Sequence, residues 1–253
     1  MKVLKDFTLL FKREFIHALR MPTWLIVGIS TPLLYLALYT PLLQKLAGGP
    51  GFPTKNVLDV FLPGMLAYLA FMSGSTEGYG TIFALKDGQI ERFRVTPASR
   101  VALLLSPILS DIAWMYIFIA VLVAVAIPFG FHAHVSGLLI SLILLALLVI
   151  VTGTFSVTIA LITKEISTFA SIVSGINLPV LLLSGVLLPL SMAPTWMRVI
   201  AHFNPLFYVV DANRVLAAGT IWNSTVGLAF LVTAGLVIVT LIWATRVYKK
   251  AVA

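Results

Sequence analysis

Glu77 and Asp111, two carboxylic acids inside otherwise apolar stretches, are the most unusual chemical groups in this chain of 253 residues. A carboxyl group immersed in hydrocarbon is costly. It reads as a pathway for a cation, a proton carrier, or a side chain satisfied by a neighbouring helix. Glu77 stands nine residues before Lys86, about 13 Å along a helix, and Asp111 eleven after Arg100, about 16 Å, which predicts both near mid-membrane. Other reactive types are sparse. Cysteine is absent, so the residues hold no disulfide framework, thiolate metal site or cysteine nucleophile. His132 and His134 share a turn with no carboxylate beside them and read as solvated, so no metal is expected. The chain contains no Gly-Lys dipeptide and hence no standard phosphate-binding loop for ATP. An enzyme acting on lipid needs acids, histidines or a nucleophile and base clustered at one depth, which two isolated carboxylates do not supply, so no catalytic residue is assigned.

Three polar or broken segments carry the remaining signal. Residues 86–100 mix signs around apolar positions: Glu91, Arg92 and Arg94 alternate with Ile90, Phe93 and Val95, as a protein-docking surface would, although a loop serving only topology is the competing reading. Pro97 ends any helix there and disfavours helical geometry at Thr96, giving a short helix, a bend, and entry into the next span. Residues 1–20 place Leu4, Phe7, Phe11, Phe15 and Leu19 at helical spacing among basic residues, an amphipathic helix of the membrane interface that serves as an anchor or also docks a cytoplasmic partner. Residues 190–218 are apolar but follow Ser184, Gly185 and Pro189 and contain Pro194 and Pro205. Pro189 is expected to end or kink a span, Pro194 to begin a short helix, and Asn204 to cap another with Pro205 at its first position. Asp211 and Arg214, three apart, can pair on one helical face.

The elements that must position these groups are membrane helices. The chain is 60% hydrophobic and 10% charged with a mean hydropathy of +1.07, against roughly 25% charged for a soluble domain. At about 20 residues per span there is room for roughly six and for no large soluble domain. Expected spans cover 22–43, 59–83, 101–127, 135–162, 168–189 and 223–245, the long uncharged run from Ile112 to Thr163 being split at Pro128–His134. The fold class is therefore an all-α integral membrane protein forming a single domain over 1–253, without internal repeats. The formal charge of +8 would suggest nucleic acid in a soluble protein. Here it reports orientation: with both termini cytoplasmic, all Lys and Arg except Lys45, Lys55, Arg198 and Arg214 fall inside, and no nucleic-acid partner is expected. The first 20 residues lack the pattern of a cleaved signal peptide. Gly74 and Gly78, four apart, permit close helix contact or a subunit interface.

Taken together, the N-terminal interface helix, the Gly88 and Thr96-Pro97-Ala98-Ser99-Arg100 pattern, and the ordered string Ser184-Gly185, Pro189, Pro194-Thr195-Trp196, Asn204-Pro205-Leu206 and Asp211-Ala212-Asn213-Arg214 resemble the membrane subunits of type-2 ATP-binding-cassette exporters, in the daunorubicin-resistance and nodulation-type branch. The resemblance covers the whole chain. It implies a dimer of permease subunits, as homodimer or heterodimer, in the plasma or inner membrane, bound to cytoplasmic ATPase subunits that carry ATP and magnesium. No cofactor is implied in this chain. It also implies that Glu91, Arg92, Phe93, Arg94 and Pro97 form a coupling helix and its bend, and that the helices after the fifth span cap the outer end of the pathway. Asn213 departs from the pattern, since a small apolar residue often precedes the arginine.

The leading expectation is export of an amphipathic drug, antibiotic or lipid-like compound, with a lipid-linked polysaccharide as a variant cargo. A secondary transporter driven by an ion gradient, with Glu77 and Asp111 as proton sites, is the alternative. It would show matching repeats and interrupted spans, whereas breaks here gather after the fifth span.

Overall fold

Peptide groups in hydrocarbon find partners only within a helix or a closed barrel, so long apolar runs of this kind must coil. A computed structural model describes residues 11, 15–16, 19–20, 22–44, 57–88, 100–131, 134–187 and 190–252, and every regular element among them is helical. In chain order these are α1 (Pro22–Gln44), α2 (Val57–Lys86), α3 (Arg100–Ala126), α4 (Val135–Thr163), α5 (Ile166–Leu182), α6 (Thr195–Ala201), α7 (Pro205–Ala217) and α8 (Ser224–Val252), with short 3-10 turns at Ile127–Phe129 and Leu190–Met192.

Four stretches are long and apolar enough to cross a membrane: Val57–Lys86, Leu104–Phe129, Val135–Thr163 and Ser224–Tyr248. The apolar part of α1, Ile26–Pro41, and the whole of α5, Ile166–Leu182, are shorter. The fifth helix was expected to reach residue 189 and stops seven residues earlier. Gly185 is the physical reason: its φ of 77° is left-handed, a conformation glycine adopts without a Cβ penalty, while the Leu183 N–H closes the last turn on the Pro179 carbonyl at 2.9 Å. Pro189 lies outside the described residues. So do Glu91, Arg92, Phe93, Arg94 and Pro97 of the expected coupling segment, and most of the N-terminal arm.

The centre of the bundle is α2 against α4. A Cβ built on Gly74 would stand 2.0 Å from Thr152 Oγ1 and 2.8 Å from the Gly153 nitrogen, and one on Gly78 would stand 2.8 Å from the Ser156 carbonyl oxygen. Ser156 fastens the same contact: its hydroxyl donates to the Ser75 carbonyl at 2.7 Å and accepts from the Gly78 N–H at 2.9 Å. The small-residue stripe thus works within one chain, where close backbones gain dispersion and hydrogen bonds. On the far face of α4, the Thr154 and Thr240 hydroxyls meet at 2.9 Å and Phe155 lies 5.7 Å from Trp243, tying α4 to α8. At the opposite end Gly137 lets α4 touch α7, since a Cβ there would lie 1.9 Å from the Leu216 carbonyl oxygen.

The two short apolar helices lie outside this centre. In α5 only Phe169 and Leu181 are buried, and Phe169 packs edge-on to Tyr79 with ring centroids 4.8 Å apart. In the N-terminal arm, Phe11 stacks on Phe15 at 5.9 Å and Phe15 on Trp114 of α3 at 4.7 Å, while Ile16 and Leu19 are exposed. Part of the expected apolar stripe therefore packs on α3.

Candidate functional site

The two acids that the sequence places on separate spans come together. Asp111 of α3 is hydrogen-bonded to Glu77 of α2, and both side chains are partly buried. The pair links α2 to α3 through two side chains that are unusual in an apolar bundle. Glu77 lies next to Gly78 and thus level with Ser156, and Trp243 faces Phe155 at the same height on α8.

At the other end of the bundle, the broken chain after α5 is held by side chains from α7 and from the turn that precedes it. Pro194 starts α6, and Asn204 caps α7 as expected, its Oδ1 accepting the Leu206 N–H at 3.0 Å with Pro205 at the first position. The Nδ2 of Asn204 also donates to the Val180 carbonyl at 2.8 Å, satisfying one of the carbonyls left over where α5 ends. Ser184 folds back on its own turn, its Oγ donating to the Leu181 carbonyl at 2.7 Å and accepting the Val186 N–H at 3.3 Å.

Arg214 joins three elements. Its Nε donates to the Val60 carbonyl of α2 at 3.0 Å, its Nη2 to the Gly185 carbonyl, and its Nη1 faces Asp211 Oδ1 at 3.6 Å. The predicted i, i+3 pair is therefore present, but the shorter contacts go to backbone. Gly64 makes room for this: a Cβ there would lie 3.0 Å from the Val186 carbonyl oxygen and 3.6 Å from Arg214 Nη2. A planar guanidinium with several fixed donors suits such a junction of carbonyls.

Asn213 is the residue that sequence reasoning undervalued. It is 1% exposed, its Oδ1 accepts the Ser141 hydroxyl of α4 at 2.7 Å, and its Nδ2 donates to the Pro63 carbonyl of α2 at 3.4 Å. What reads as a departure in the string before Arg214 is a buried polar tie. Its only sequence signal is an amide on the apolar face of an amphipathic helix.

Among the described residues no group of three or more His, Asp or Glu could hold a metal ion. His134 precedes α4 and packs on Gly219, whose Cβ would lie 2.8 Å from the ring.

The family described as ABC-2 type transporter matches residues 5–218. The chain is 31% identical over 222 residues to the transport permease ycf38 of Cyanophora paradoxa, covering 87% of this chain and 76% of that protein. It is 29% identical over 231 residues to the ycf38 permease of Porphyra purpurea, covering 88% and 78%. It is also 29% identical over 236 residues to the daunorubicin resistance ABC transporter permease protein DrrB1 of Streptomyces coeruleorubidus, covering 90% and 81%.

Proposed function

Because the chain belongs to the ABC-2 type transporter family, whose members are multi-pass transmembrane components working with a separate cytoplasmic ATPase, we propose that it is the permease subunit of an exporter moving an amphipathic drug, antibiotic or lipid-like compound out of the cytoplasm or inner leaflet. The observation that carries the cargo class is the likeness to a daunorubicin-resistance permease across 90% of this chain. An apolar bundle with few polar groups suits an amphiphile better than a sugar.

In this reading the protein has six spans with both termini in the cytoplasm, sits in the plasma or inner membrane, and leaves ATP and magnesium to its partner. α2 is longer than the hydrocarbon is thick. Its 30 residues extend about 45 Å, beyond the roughly 30 Å of hydrocarbon, so part of it must project. Measured from Val57, about 30 Å is reached near Glu77, level with Trp243 and one turn before Arg246, an aromatic and basic pairing typical of an inner boundary. Glu77 and Asp111 then stand at the cytoplasmic mouth rather than mid-membrane. The coupling role then falls to Glu91, Arg92, Phe93, Arg94 and Pro97, between Lys86 and Arg100 in the sequence.

A second permease subunit, a copy of this chain or a related one, completes the assembly. Exposed Ile176, Leu178 and Leu182 line α5, and a Cβ on Gly175 would meet nothing within 4 Å, as befits a face that another subunit covers.

The test is purification of the tagged protein in mild detergent with identification of what accompanies it. A stoichiometric cassette ATPase, lost when Glu91→Lys and Arg92→Glu are combined, is the expected result. A folded protein that transports without any ATPase would overturn the proposal in favour of ion-gradient drive.

A further inference from the structure

The break after α5 is held by side chains as well as by close backbone packing. Elsewhere helices are joined by backbone packed at glycine distance, as at Gly74, Gly78 and Gly137. The Ser184–Val186 turn packs its backbone on Gly64 in the same way, and two side-chain hydrogen bonds from α7 and its cap hold the end of α5 and this turn: Asn204 to the Val180 carbonyl and Arg214 to the Gly185 carbonyl. Side-chain contacts can be exchanged one at a time without unravelling a helix.

The two partners of this joint are unequally anchored. α7 buries Leu206, Val209, Val210, Ala212, Asn213 and Leu216, and Asn213 ties it to α2 and α4. α5 buries two side chains, and Pro179 within it removes one N–H from its own ladder. The body that stays is α2, α4 and α7. The element free to leave is the outer end of α5 with the turn that follows it.

Arg214 is equipped for that departure. Its side chain is 14% exposed, and a buried guanidinium stripped of partners is costly. When Gly185 leaves, Nε keeps the Val60 carbonyl and Nη1 keeps Asp211, both on the body that stays. The charge never loses all its partners, so the grip on Gly185 can be released and remade.

Resting on the permease reading above, we propose that Arg214 is a positioning residue that clasps the Gly185 carbonyl and, with Asn204 on the Val180 carbonyl, holds the outer end of α5 shut against α2, which opens when the Arg214 contact is released. Val186, fully buried beside Gly64, is then covered when the clasp is closed and uncovered when it opens.

The chain has no cysteine, so an introduced thiol is unambiguous. Val186→Cys is labelled with N-ethylmaleimide in nanodiscs, beside Leu144→Cys, equally buried in α4, as reference. Arg214→Gln should raise Val186→Cys labelling about tenfold, as expected for loss of a charged hydrogen bond, and leave Leu144→Cys unchanged. Arg214→Lys, a point charge without the fork, should fall between. Equal labelling of Val186→Cys in all three backgrounds would overturn the clasp. So would a rise at Leu144→Cys as large as that at Val186→Cys, which marks general loosening. A Gly64→Cys, Val186→Cys pair tests the same joint with Arg214 intact. Oxidation should stop ATP-driven transport and spare ATP hydrolysis, with reductant restoring transport. Full transport with the disulfide complete would also overturn it. If the permease reading alone fails, neither the oxidised nor the reduced pair transports, while the labelling order Gln, Lys, Arg persists.

Discussion

Glu77 and Asp111 meet across the α2–α3 contact through a side-chain hydrogen bond, although 33 residues lie between them in the chain. An amide in place of either acid preserves a hydrogen bond, whereas alanine leaves the other carboxyl buried alone. Loss of a buried partner costs about 1–3 kcal/mol. For a chain of this length each kcal/mol is worth about 2–4 °C, so Asp111→Ala should melt several degrees below wild type and Asp111→Asn close to it. Thermal unfolding in one detergent checks this. Equal melting of the two variants would show that the bond contributes nothing.

Local rules made part of the site legible before any coordinates. Asn204 before Pro205 satisfies the cap requirement within two residues, and Asp211 with Arg214 needs only the pitch of one helix. The Glu77–Asp111 bond and the Asn213–Ser141 bond depend on the register between helices distant in sequence, which no single-helix periodicity contains. The end of α5 was misread for a different reason. Pro189 looks like the stronger breaker, but the left-handed turn at Gly185 comes before it along the chain and closes the helix first.

Asn213 should be worth more than its position suggests. Asn213→Ala takes the acceptor from the Ser141 hydroxyl in a buried, apolar setting, at about 1–3 kcal/mol. Asn213→Ala and Ser141→Ala combined should cost less than the sum of the two alone, because each removes the same bond. A double-mutant cycle on thermal stability measures that coupling, and strict additivity would refute it.

Lys164 closes α4 in the left-handed region at φ 54°, where glycine is preferred, and its N–H bonds the Ala160 carbonyl at 2.9 Å. Relief of that strain is worth about 1 kcal/mol, so Lys164→Gly should raise the melting temperature by about 2–4 °C. An unchanged or lower value would mean that the lysine side chain outweighs its backbone cost.

Glu165, the next residue, accepts the Ser167 hydroxyl at 2.7 Å and the Thr168 hydroxyl at 2.7 Å, and these bonds hold its carboxyl below the ordinary glutamate range. A group with a lowered folded value stabilises above its unfolded value and loses that contribution as pH falls through the folded one. The first turn of α5 should therefore keep its protection down to the ordinary glutamate range and lose it only below. Hydrogen exchange across residues 166–171, corrected for intrinsic rate, follows the transition. Glu165→Ala should abolish the pH dependence, and persistence of the same transition in that variant would assign it to another group.

Glycines on α2 and α5 should answer substitution in opposite ways. Alanine at Gly74 brings a methyl to 2.0 Å from Thr152 Oγ1 and 2.8 Å from α4 backbone, so the α2–α4 contact must part. Overpacking of this kind costs about 1–3 kcal/mol, and Gly74→Ala should lower both yield and melting temperature of the single chain. Leucine at Gly175 meets open space in one chain and should leave its melting temperature unchanged. If a second subunit covers α5, Gly175→Leu separates the copies, and the mass of the detergent-solubilised particle falls from two chains to one. A stable pair with Gly175→Leu would place the subunit contact on another face, with α1 and its exposed Ile26, Leu34 and Leu38 the next to test.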